Sequence, residues 1–304
     1  MKAISTLIVL LLATNTGLSC IWITGTKYNT SSMKTGGISP AYRLKRSMET
    51  DLSSEGMRME SGLRGSTNFD DRCDYAVAKI YLGQYDEAIK LLQQLEIEKP
   101  RQYAVTANLG TVYELSGNNE EALRWITEAI NRNRDSHMGT EWVHEKILKV
   151  KIATAKEPDY FARHTVLDLN PESIKDNIMV DGQSHSAEEV DKALEYQLLE
   201  RIKFVKPKEP VVAALLFDYA AVEAATRTLE SAEKLLNLSA EYGYPIEKIQ
   251  PLIKLYDHKI ALRKTKQWVF YSLIGACVIG LLAYLYKRGI FVLSSKDLKN
   301  RHTN

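Results

Sequence analysis

Two pairs of residues recur at a single spacing along this chain: Gly83 is answered by Gly117 and Ala88 by Ala122, each 34 residues later. A fixed period of that length means one supersecondary unit has been copied. Such a unit buries its apolar face only against its neighbours. The inside of each copy says what the unit is. Asp70 to Leu82 and Tyr85 to Glu98 read as two helices around Gly83. In the second, Ala88, Leu91, Leu92 and Leu95 fall at i, i+3, i+4 and i+7, which is one apolar stripe. Pro100 closes the pair, because proline cannot continue a helix. The alanines are small where two helices must cross closely, and the glycines fall in the turns.

Two copies do not enclose a core, and three or more are normally needed. The chain offers further helices in Thr140 to Ala155, Ala187 to Val205, Pro210 to Thr226 and Leu229 to Tyr242. The last two make a degenerate pair, with Ala232 where a repeat alanine would fall. Asp159 to Gly182 reads as irregular or as a short hairpin, and Pro245 to Gln267 as a final helix. Residues 24–68, rich in Ser, Thr, Gly and Met without a sustained period, read as a linker or loosely ordered lead-in.

The two ends constrain location. Lys2 followed by the apolar run Ile4 to Ala13 has the form of a secretion signal, with Gly17 and Ser19 as the small residues before a cut at Cys20. Three outcomes stay open: ordinary cleavage, lipidation of Cys20, and an uncleaved anchor. Gly17 stands where a lipidation motif usually has leucine. All three place the bulk of the chain outside the cytoplasm. Near the other end, Trp268 to Tyr286 carries no charge. As a helix it is roughly 28 Å long, close to the thickness of a bilayer's hydrocarbon. Trp268, Tyr271, Tyr284 and Tyr286 lie towards its ends, where amphipathic rings favour the headgroup level, and Lys287-Arg288 stops it. Basic residues flank both sides, so sidedness follows from the export signal, which leaves 287–304 as a short basic cytoplasmic tail. Ala276 and Gly280 form one small-xxx-small pair on this segment.

The segments CDYAVAKIYLGQYDEAI, TANLGTVYELSGNNEEAL and GTEWVHEKIL, between Cys73 and Ile152, resemble the tetratricopeptide repeat (TPR) superfamily and a group of exported bacterial repeat proteins. The second copy is the fuller one, with Leu109, Gly110, Tyr113, Gly117, Ala122 and Ala129 in pattern. The first has Ala76 and Lys79 where glycine and tyrosine are usual, and Arg134 stands where a proline would close the second. The resemblance implies an all-α fold: a TPR-like α-solenoid of antiparallel helix pairs, followed here by one C-terminal transmembrane helix. The expected organisation is a signal peptide at 1–19, a lead-in at 20–68, two repeats at 69–136, a further helical region at 137–265 and the span at 268–286. The superfamily binds peptides or protein surfaces on a concave face. On this chain that face would be lined by Cys73, Val77, Ile80, Ala107, Asn108, Thr111 and Glu114. Asn108 matches an asparagine that often holds a ligand backbone, its alternative being a plain helix-surface amide. The basic partners of a carboxylate clamp are missing, which argues against capture of a C-terminal peptide.

Chemistry is not signalled. His144-Glu145 starts like a zinc-protease motif, but Leu148 stands where the second histidine should be. The other histidines lack ligand spacing, and neither a phosphate-cradling loop nor a nucleophile elbow is present. Glu120-Glu121 and Glu188-Glu189 suit helix starts. With 40 basic and 38 acidic residues interspersed, no nucleic-acid face is expected. Three cysteines are too few for a disulfide framework or a zinc site. Cys20 and Cys73 would share an oxidising compartment and form a candidate disulfide unless Cys20 is lipidated. The chain is therefore expected to be a non-enzymatic scaffold without cofactor or metal, anchored in a membrane and binding an unknown protein or peptide partner. The alternative is an accessory subunit of an envelope enzyme or transporter, docked through its span.

Overall fold

The computed structural model describes Ile21, Ile23 and residues 39–289. The expected signal peptide, Cys20 and most of the basic tail lie outside the described residues. The copied unit is an antiparallel helix pair. The first copy is α3 (Phe69–Tyr81) with α4 (Tyr85–Glu98), and the second is α5 (Tyr103–Leu115) with α6 (Asn119–Arg132). Gly83 and Gly117 occupy the turns with φ of 73° and 89°, a left-handed backbone that residues with a Cβ resist. Asn68 and Asn118 start α3 and α6 by accepting from the backbone N–H groups of Asp71 and Glu121. Inside the second pair the helices cross so closely that a Cβ on Gly110 would lie 2.4 Å from Ile126. The equivalent position in the first pair, Ala76, is fully buried.

Helices continue on both sides of the repeats. Ahead of them stand α1 (Pro40–Met48) and α2 (Leu52–Leu63). Much of the stretch read as a linker is therefore helical. The helix starts were written in small signals: Pro40 at the first turn of α1, and Asp51 capping α2 through the Ser54 N–H. Their apolar residues are few, and α2 gains its place by packing Met59 and Leu63 against α3. After the repeats come a 3-10 turn (Ser136–Gly139), α7 (Glu141–Lys156), the short α8 (Tyr160–Arg163), the hairpin β1 (Asn177–Val180) and β2 (Gln183–Ser186), α9 (Ala187–Phe204), α10 (Pro210–Thr226) and α11 (Leu229–Glu241). The strands pair antiparallel, Val180 opposite Gln183, across an Asp181-Gly182 turn in which both residues have positive φ. Ser186 and Glu189 form a reciprocal capping box at the start of α9. The described residues make an all-α, TPR-like solenoid of antiparallel pairs, and α1 adds to it by packing on α9 and α11.

The last helix, α12 (Ile246–Lys287), has 42 residues. Gln250 onwards forms a compact unit of its own. The window within α12 that is long and apolar enough to cross a membrane is wholly unburied.

Candidate functional site

The groove implied by the repeat resemblance is not open. Cys73, Val77, Ile80, Ala107, Asn108, Thr111 and Glu114 are all buried. Asn108 is neither a surface amide nor presented to a ligand, because its side-chain N–H₂ points at the Cys73 sulfur, 3.6 Å away. Thr111 donates back to the Ala107 carbonyl. Cys73 itself is a buried thiol, pushed up to about 12 chiefly by desolvation, which keeps it unreactive.

At the Glu114 end of this row a side chain of α9 comes in. Arg201 forks onto Glu114, one N–H pairing with each carboxylate oxygen. The same carboxylate takes the His144 Nε2 at 2.8 Å and the Lys151 ammonium at 2.9 Å, both from α7. One glutamate thus joins α5, α7 and α9. A second carboxylate, Glu141, continues the network. It pairs with the His137 ring, lies 3.5 Å from the other nitrogen of His144, and accepts from the Tyr103 hydroxyl at 3.1 Å. Gln197 of α9 donates to the Thr140 hydroxyl at 3.1 Å beside it.

Burial would raise both carboxylic acids, but the cations outweigh it. Arg201, helped by His144 and Lys151, holds Glu114 well below the usual carboxylate range, and His137 does the same for Glu141. Burial would discharge His144, yet Glu114 and Glu141 carry its pKa above normal. The arrangement is a clamp of two buried acids and the basic groups that pair with them. Among the described residues, no three or more His, Cys, Asp or Glu are grouped to hold a metal ion.

The open space lies on the outer side of this clamp. A cleft of about 510 Å³ runs between the 3-10 turn, α7, β2 and α9, bordered by Arg134, Met138, Trp142, Glu145, His185 and Lys192. His137, Met138 and Gly139 are consecutive residues with positive φ, and this strained turn leaves Met138 68% exposed at the rim. The Trp142 and His185 rings stack at 4.3 Å, pinning the hairpin to α7, while Lys146 pairs with Asp181 at the hairpin tip. No sequence motif marked these residues. They come from four elements whose spacing in the chain is irregular, so only the fold brings them together.

A family model for the tetratricopeptide repeat matches residues 80–139, from the end of α3 through both helices of the second pair to the strained turn. No curated protein matches the chain. The match agrees with the 34-residue period in sequence and with the antiparallel pairs in space. A tetratricopeptide module of this kind is suggestive of protein–protein interaction or scaffolding.

Proposed function

We propose that this chain is a non-enzymatic, membrane-tethered protein-binding module, with its helical domain on the extracytoplasmic side. The single observation that carries the reading is the repeat match over residues 80–139, since such helix pairs present surfaces to other proteins. With the expected groove residues buried, the cleft beside Met138, Trp142 and His185 is the surface we assign to a partner. An exposed methionine adapts to varied apolar shapes, and stacked aromatic rings supply a rigid wall. The unburied apolar window of α12 supports the tether. The secretion-type signal at 1–19 supports the sidedness.

The unburied window also favours a second reading, an accessory subunit that docks through its span. Photo-crosslinkers placed singly at Met138, His185 and Ile279 in native membranes separate the two. A recurrent protein crosslinked from Met138 and His185 is the expected result. Crosslinks confined to Ile279 would move the function to the span, and a protein-free result at all three positions would end the scaffold reading.

A further inference from the structure

The stretch of α12 just ahead of its apolar segment carries Lys259, Arg263, Lys264 and Lys266, all of them exposed. Asp257 is the last acidic residue of the helix, so nothing on α12 beyond it offsets this charge. Helical geometry sorts the four cations by direction. At 3.6 residues per turn, Lys259, Arg263 and Lys266 fall within an arc of about 60° and cover roughly 10 Å of the axis. Lys264 and Asp257 each point about 100° or more away from that arc. Phe270 continues the arc one turn further on, at the start of the uncharged segment Trp268–Tyr286. The three aligned cations and Phe270 border one shallow groove, together with Leu262, Gln267 and Tyr271. One end of that groove is cationic, and the other is aromatic and opens onto the apolar part of the helix.

We propose that this groove binds an anionic phospholipid, with Lys259, Arg263 and Lys266 on its phosphate and Phe270 and Tyr271 against the start of an acyl chain. This rests on the tether reading above and names the lipid class that the tether selects. The depths agree with it. Counted back from Trp268 at 1.5 Å per residue, Lys266 stands about 3 Å, Arg263 about 8 Å and Lys259 about 14 Å from the apolar segment. The headgroup layer on one side of a bilayer is roughly 5–8 Å thick. Arg263 and Lys266 therefore fall at phosphate level, and the long stem of Lys259 lets its ammonium reach down to it. A free phosphate ion would use the cations and leave the aromatic end empty. A phospholipid with a choline headgroup brings its own positive charge, which the three cations repel. An anionic amphiphile matches both ends. Each cation close to such a surface strengthens binding roughly fivefold.

The test places the full chain in vesicles made from a four-to-one mixture of dioleoylphosphatidylcholine and dioleoylphosphatidylglycerol. Lipids that stay with the chain on detergent release are counted by native mass spectrometry. The retained ratio of phosphatidylglycerol to phosphatidylcholine should exceed that of the vesicle at least tenfold. Arg263→Gln and Lys266→Gln should each lower it roughly fivefold. The triple variant Lys259→Gln, Arg263→Gln, Lys266→Gln should return it to that of the vesicle. Lys264→Gln removes the same charge at the same depth but from another direction, and should leave the ratio nearly unchanged. An equal loss with Lys264→Gln means a diffuse field without a groove, and overturns the inference. Displacement of the lipid by an excess of glycerol phosphate or inorganic phosphate also overturns it, because the site would then take any phosphate. Flotation separates this from the tether. A chain that does not float with pure phosphatidylcholine vesicles overturns the tether reading and the inference together. One that floats but retains the two lipids in the vesicle's own ratio overturns the inference alone.

Discussion

The helices α3–α6 and the helices α7–α11 are held together by different means. Between α3 and α6 the interior is mostly apolar and shaped by residue size: Ala76 and Leu92 are both buried in the first pair, and Gly110 lies against Ile126 in the second. Ion pairs there sit towards the edges, as with Lys79–Glu60 and Arg132–Glu96. Where α5 meets α7 and α9, and again in α10, acidic groups go inside. Glu114 is shared with Arg201, His144 and Lys151, and Asp218 of α10 is wholly buried. Asp218 accepts from the Thr165 hydroxyl at 2.7 Å and the Leu167 N–H at 2.8 Å, fastening the loop after α8. A repeated shape stacks on its own copy with no key, because neighbouring copies are already complementary. Helices that are not copies have no such register, and paired polar groups fix which helix meets which.

The sharpest break of that contrast is Arg201→Met. Leaving Glu114 buried without its main cation should cost about 3–5 kcal/mol. Adding Glu114→Leu to that variant should recover much of the loss, since no buried charge is then stranded. Chemical unfolding of the single and double variants checks both, and an undiminished double-variant loss would mean that shape governs this half too. Next is Leu92→Ala in the first repeat, expected to cost about 3 kcal/mol by opening a cavity. That cost should be the same at pH 5 and pH 8, because no titratable group is involved.

The third expectation is a pH dependence set by buried carboxylates. Burial raises Asp218 to about 7 from the ordinary aspartate value near 3.8. The folded state therefore holds a proton that the unfolded state has released between about pH 4 and pH 7. Stability must fall as pH rises through that window and stay flat above it. Asp218→Asn should flatten the slope by on the order of 2 kcal/mol, read from denaturation midpoints across pH. At the acid end the sign reverses. Glu114 and Glu141, held low, withdraw stability as pH drops below the normal carboxylate value near 4.5. The smallest effect is Gly110→Ala, about 1 kcal/mol, as the new methyl must displace Ile126. A neutral outcome in thermal melts would show that the crossing has slack, and the shape argument would weaken.

Much of the fold was legible because it is periodic. The turn glycines, the apolar stripe of α4 and the closing Pro100 located both repeats, and Pro210 announced α10. By contrast, α1 and α2 were read as linker, since their burial depends on partners on α3 and α9 that no local window contains. The groove residues were found as positions but not as a surface. Asn108 and Glu114 sit on the expected helix face, yet Arg201, 87 residues further on, lies against it.

Two helices show where sequence stops. In α10 all thirteen residues from Val211 to Glu223 are buried, whereas the apolar window of α12 is buried nowhere. Both look like helices with little polar face. Length and the absence of charge in Trp268–Tyr286 were enough to single out the membrane candidate, because a bilayer sets a length that a protein core does not. The sequence by itself determined the repeat, its period and that apolar span. The tertiary structure decided that the expected groove residues are buried, that Glu114 joins three helices, and that a cleft opens beside Met138. These depend on contacts between residues distant in the chain, whose energies come from burial and pairing that no local pattern records.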